Sequence, residues 1–227
     1  MHAVPVRSAG GTNMKRAWSH GFPGINIEFD PMFFHKCARD LDKIASQPLG
    51  KDLLTLISKR CSGIGTGAGK NVLIRMGKGT LAESAEETGA EPTNDNFMRT
   101  GKKIPGTTIQ LPGLGSSSIA EYNPDAALEY ARTSGVPTPS FIALAHELTH
   151  CWHHLSGGYR LGDGSDLDEQ WEAGFLQEEA YTVGLGPYAG TRLCENAYRG
   201  EWNLKKRTYY AKPGDCDNLP KLSTQTF

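Results

Sequence analysis

The sequence predicts an α+β fold, with a small sheet beside one long helix. Three observations carry this. Phe33, Phe34, Cys37, Leu41 and Ile44 recur at helical spacing. Short extended pieces, "NVLIRMG" (71–77), "TTIQLP" (107–112) and "SSSIAEYNP" (116–124), lie between glycine- and proline-containing breaks. A further stripe of Phe141, Leu144, Leu148, Cys151 or Trp152, and Leu155 marks a helix that starts at Thr138-Pro139 and stops at Gly157-Gly158.

The elements follow in order. Residues 1–21 hold serine, glycine and bases but no acid, and read as a flexible leader; 22–227 read as one domain. "PGINIEFD" is a short extended piece. A helix runs from Pro31 to Gln47, with Asp30 as its cap and Pro31 in its first turn. Pro48-Leu49-Gly50 breaks the chain before a second helix, Gly50 to Arg60, which turns Leu53, Leu54 and Ile57 inward. Strands 71–76, 107–111 and 117–122 are expected to form the sheet, with a long loop or hairpin tip over 82–103. Thr138 is the expected cap of the long helix. Another helix spans Gln170 to Gly184, and the tail beyond Pro213 reads as loop.

Composition narrows the function. The net charge is -1, so nothing global argues for nucleic acid or an anionic membrane. No apolar run approaches ~18 residues, so no transmembrane helix is expected. The 5 cysteines are widely spaced without a CxxC pair, which fits reduced thiols and argues against a cysteine-rich zinc module. Charge is uneven: Asp163 to Glu179 carries acids and no base, while Arg192 to Lys212 is basic. Both runs read as solvated faces, or else as two sides of one cleft.

The chemistry gathers in "SFIALAHELTHCWHHLSGGYR" (140–160), which contains His146, His150, His153 and His154. His146-Glu147-Leu148-Thr149-His150 spells H-E-x-x-H. Residues four apart share a helix face, so two imidazoles can reach one metal ion from the same side. Glu147 is placed to take a proton from a water polarised by that ion, as zinc-assisted hydrolysis requires. His154 continues the four-residue step, but a trio spans about 12 Å along a helix, too far for one ion. Ser156 stands where a metzincin would place its third histidine. His153 and His154 are therefore expected behind the ligands or at the surface. The third ligand must come from elsewhere, and a carboxylate of the next helix is the usual choice. Glu178 is favoured, with Glu179 as the alternative, because the two point about 100° apart and only one can face the ion. Thr182, one turn past Glu178, can bond to a ligating group.

With H-E-L-T-H, "QEEAYTVGLG" and "CENAYRGEWNLKKRTYY" in view, the chain resembles the NleD-like family of type III secretion effector proteases over roughly 22–212, its plant-pathogen members above all. The resemblance implies a zincin-like metalloprotease domain holding zinc, injected into the host cytoplasm, with the leader as its secretion signal. It implies a host signalling protein as substrate, mitogen-activated protein kinases being the family's substrate class. The EExxT segment also resembles the third-ligand helix of clostridial neurotoxin light chains, which supports Glu178. Arg207 and Tyr210 match an Arg-x-x-Tyr element of those light chains that stabilises the oxyanion. Arg199 is expected either to contribute weakly there or to bind Glu195 or an acid of the metal helix. A monomer is the simpler expectation. The rival readings are a zinc hydrolase of a non-peptide bond and a non-catalytic effector that only binds a host protein.

Overall fold

In the computed structural model, the described residues are 16–18, 21–28, 30–61, 70–77, 81–84, 109–110, 113, 115–159, 167–219 and 223–224. Most of the expected leader and of the 82–103 loop lies outside them. The elements are β1 (Arg16–Trp18), β2 (Ile25–Glu28), α1 (Pro31–Ala45), α2 (Pro48–Cys61), β3 (Val72–Met76), β4 (Leu81–Ser84), β5 (Ile109–Gln110) and β6 (Ser118–Tyr122). There follow α3 (Ala127–Ser134), α4 (Ser140–Ser156), α5 (Leu167–Val183), a 3-10 turn (Gly186–Tyr188), α6 (Glu195–Glu201) and β7 (Ser223–Thr224).

The protein is α+β. Its main sheet has the order β1-β2-β3-β6-β4. The centre is parallel, with Ile25 opposite Val72 and Val72 opposite Ser118. The edges β1 and β4 run antiparallel to their neighbours. Ile25, Ile27, Val72, Ile74, Ala120 and Tyr122 are fully buried, as parallel strands covered by helices require. Three expectations about the strands need correction: residues 82–84, expected in a loop, belong to β4. The strand at 109–110 does not join this sheet; it pairs with β7, far along the chain. Arg16–Trp18, read as leader, forms β1.

The helices start as their residues dictate. The Asp30 carboxylate accepts from the Phe33 amide at 2.8 Å, with Pro31 in the first turn of α1. The α4 start differs from expectation: Thr138 does not cap it. Its hydroxyl donates to Val136 O at 3.0 Å and accepts from Arg199 Nη2 at 2.6 Å. Instead, Ser140 Oγ donates to the buried Asp40 carboxylate at 2.6 Å, which also receives the Tyr122 hydroxyl. Asp40 thus ties α1, β6 and the first turn of α4 together.

The predicted stripe of α4 is buried: Leu144, Leu148, Cys151 and Leu155 are all fully enclosed. Burial of a leucine is worth about 1.5–3 kcal/mol. The helix is also covered on its other faces, since α1, α2, β6 and β4 pack on it along with α3, α5 and α6. Gly157 ends it at φ 68, and a Cβ there would stand 2.0 Å from Gly113 O. Only glycine fits both that left-handed conformation and that close approach.

Candidate metal centre

His146 and His150 stand one turn apart on α4, and their Nε2 atoms are 3.1 Å apart. Each ring is turned by a carboxylate behind it. His146 Nδ1 donates to Glu195 Oε2 at 2.9 Å, and His150 Nδ1 donates to Glu178 Oε1 at 2.9 Å. With both Nδ1 atoms serving as donors, the neutral rings aim two Nε2 lone pairs at one point. Glu179 closes that point: its Oε2 is 3.3 Å from His146 Nε2 and its Oε1 is 3.4 Å from His150 Nε2. Glu179 Oε2 is buried without a hydrogen-bond partner. Three acceptors facing one buried point are costly unless a cation joins them. His146, His150 and Glu179 are therefore a group that could hold a metal ion.

The two adjacent glutamates divide the work. Sequence reasoning favoured Glu178 for the ion, yet its carboxylate faces the far side of His150. Its Oε1 accepts from His150 Nδ1, from His153 Nδ1 at 2.5 Å and from Thr182 Oγ1 at 3.2 Å. His150, His153 and Glu178 lie close enough to count as a second group that could hold an ion. However, ordinary hydrogen bonds already engage that oxygen three times over. Thr182 bonds to a glutamate of the site, as its spacing predicts, but to Glu178 in this orienting position.

Glu147 is buried with Oε1 4.0 Å from His146 Nε2. Burial raises its pKa; the two imidazoles lower it, and the carboxylates of Glu179 and Glu195 raise it again. His153 and His154 are not at the surface: both are buried, His153 stacked on Tyr181 and His154 on Tyr159. His154 Nδ1 lies 2.8 Å from Ser118 Oγ, and burial lowers its pKa to about 3, so it is a neutral core residue.

Glu195 is the residue sequence reasoning missed as part of the site. It sits in α6, a helix too short to show an apolar stripe. It accepts from His146, from Arg207 Nη1 at 3.1 Å and from Arg199 Nε at 2.6 Å. The readable signal was the acid-base spacing of four between Glu195 and Arg199, and that pair is formed. Arg207 spends its other terminal nitrogen on Tyr210 O at 2.8 Å. Its guanidinium also lies over the Tyr210 ring, 5.3 Å from the centroid. Arg207 therefore braces the centre from behind. Burial raises the Tyr210 pKa, and the carboxylates of Glu179 and Glu147 raise it further, so the phenol lies near the centre. Of the acids preceding the pair, Asp163 and Asp166 lie outside the described residues, as do the side chains of Asp168, Glu169 and Glu172.

Without a metal, protons must hold the cluster together. Burial lowers the His146 pKa, but Glu179 and Glu195 more than offset this and raise it to about 9. Burial raises the Glu179 pKa, but both histidines more than offset this and lower it to about 2. The raised His146 contributes stability fully below its ordinary 6.5, lost as pH climbs through about 9. The lowered Glu179 contributes above its ordinary 4.5, lost as pH falls toward about 2. Chelated protein is therefore expected to be most stable near pH 5–6, between those ordinary values. Stabilisation by added metal should grow with pH as protons leave the imidazoles. Thermal unfolding with and without chelator checks this; an equal midpoint at pH 6 and pH 9 in chelator contradicts it.

Buried histidines one turn apart, a converging glutamate and a buried acid beside them define a centre suited to metal-assisted hydrolysis. A family model for effector proteins, the M91 peptidases, matches residues 23–210, and the chain belongs to that family. No curated protein matches it. Membership makes the chain a peptidase effector, which implies delivery into a host cell. Among the described residues no helix is long and apolar enough to cross a membrane.

Proposed function

We propose that the chain is a zinc-dependent endopeptidase with a zincin-like domain, in which His146, His150 and Glu179 hold the metal. The observation that carries this is the convergence of both Nε2 atoms and an unpartnered buried carboxylate oxygen on one point. Two imidazoles and a carboxylate are a zinc donor set that leaves a position open for substrate. Zinc in this setting lowers the pKa of water and polarises a carbonyl.

The protein's own groups do the rest. Glu147, buried beside His146, takes the proton of the attacking water and delivers it to the leaving amine. The Tyr210 phenol, protonated at neutral pH like any ordinary tyrosine, donates to the carbonyl oxygen as charge develops there. Glu195 fixes the His146 ring and Glu178 the His150 ring, so each imidazole keeps its Nε2 toward the metal. In this reading Glu178 orients a ligand instead of being one, and Arg207 places Tyr210 and Glu195 without touching substrate.

The resemblance to NleD-like effectors supplies the substrate class: a host signalling protein, with mitogen-activated protein kinases the first to try. Delivery by type III secretion, with the signal in the segment ahead of β1, and action as a monomer in the host cytoplasm complete the reading. The test is to incubate zinc-loaded protein with host lysate and read new N-termini by mass spectrometry. New termini that vanish with chelator and return with zinc are expected. No new termini from protein holding one zinc would favour a non-peptide substrate or a binding effector.

A further inference from the structure

Among the described residues four large apolar side chains are exposed: Met32, Met76, Leu128 and Phe175. Phe175 alone of these sits on the helix that brings Glu178 and Glu179 to the centre. It lies four residues before Glu179, so the two share a helix face, with Cβ atoms roughly 5–6 Å apart. The residue is 48% exposed. The covered part meets Tyr210 edge to face, with centroids 5.9 Å apart at 74°. The Tyr210 ring lies under the Arg207 guanidinium, which donates to Glu195, the carboxylate that holds His146. A continuous aromatic step therefore leads from solvent to the carboxylates of the centre.

We propose that Phe175 and Tyr210 form the wall of a substrate subsite that takes an apolar side chain next to the cleaved bond. The proposal rests on the endopeptidase reading above. A phenyl ring left half in water forgoes stabilisation proportional to its exposed area, and an apolar group laid against it recovers that stabilisation. An aliphatic or aromatic side chain does this; a charged or small one does not. The position beside Tyr210 makes the effect one of selectivity, because the chain seated there places the carbonyl under the phenol. The competing role for Phe175 is to hold the Tyr210 ring, and the two roles differ in what they do to different substrates.

The experiment uses the full chain loaded with zinc, as wild type, Phe175→Leu and Phe175→Ala. Each is incubated with a degenerate peptide mixture, and the new termini are sequenced by mass spectrometry. Then kcat/KM is measured on two peptides that differ only by leucine or alanine at the enriched position. Wild type is expected to enrich apolar residues at one position flanking the cut. Phe175→Ala is expected to cut the leucine peptide about tenfold less well or worse, toward the level of the alanine peptide. Phe175→Leu is expected to keep most of the preference. An equal loss on both peptides would assign Phe175 to holding Tyr210 and overturn the subsite, as would a wild-type profile with no apolar preference. No cleavage of any peptide by zinc-loaded wild type would overturn the endopeptidase reading and the subsite with it.

Discussion

Glu147→Gln is expected to lower cleavage by about 10²–10⁴-fold while leaving the metal in place. The amide matches the carboxylate in size but cannot accept a proton from water, so the base is lost and the shape is kept. The metal should stay because Glu147 is not among the converging atoms: its Oε1 is 4.0 Å from His146 Nε2, whereas the Glu179 oxygens stand at 3.3 and 3.4 Å from the two rings. Elemental analysis and cleavage rates on the same preparation check both halves. A variant that cleaves within tenfold of wild type would remove Glu147 from the mechanism.

The second large effect concerns stability. Arg199 is fully buried and has no water to fall back on. It donates Nε to Glu195 Oε1 at 2.6 Å, Nη1 to Pro137 O at 2.8 Å and to Lys205 O at 3.2 Å, and Nη2 to Thr138 Oγ1 at 2.6 Å. It therefore joins α6 to the segment entering α4 and neutralises the carboxylate that orients His146. Arg199→Met keeps most of the volume but leaves Glu195 under-compensated and the Pro137 and Lys205 carbonyls without this donor. Removing one partner of a buried pair costs about 3–5 kcal/mol. For a chain of this size that is a fall in melting temperature of roughly 10 °C. Thermal unfolding of the zinc-loaded proteins measures it; a loss under about 1 kcal/mol would mean that water or a shifted side chain replaces the cation.

What was legible in the sequence follows from range. H-E-L-T-H and the stripe around Leu148 are local patterns, and local spacing set both the helix and the pairing of His146 with His150. Asp30 and Pro31 announced α1 for the same reason. The choice between Glu178 and Glu179 was not local. Both lie on α5, and which one meets the Nε2 side depends on the rotation α5 takes as it packs on α4. That rotation sends Glu178 to His150 Nδ1 and His153. Glu195 was hidden because a seven-residue helix has no periodicity to read. The burial of His153 and His154 depends on Tyr181 and Tyr159, which reach them from later in the chain. Strand β5 was readable as extended, but its partner β7 lies more than a hundred residues away, and short-range pattern cannot choose a partner at that distance.

The central claim is that Glu179, with His146 and His150, holds a zinc ion that Glu178 only supports from behind. Zinc per chain by elemental analysis, on wild type, Glu179→Ala and Glu178→Ala prepared alike in excess zinc and then desalted, tests it most directly. The expected result is near one zinc in wild type and far less in Glu179→Ala. Glu178→Ala should still bind near one, with affinity weakened about 10–100-fold, since it orients a ligand without being one. Full zinc in Glu179→Ala alongside loss in Glu178→Ala would contradict the assignment, and a wild-type protein that takes up no zinc would contradict the metal centre itself.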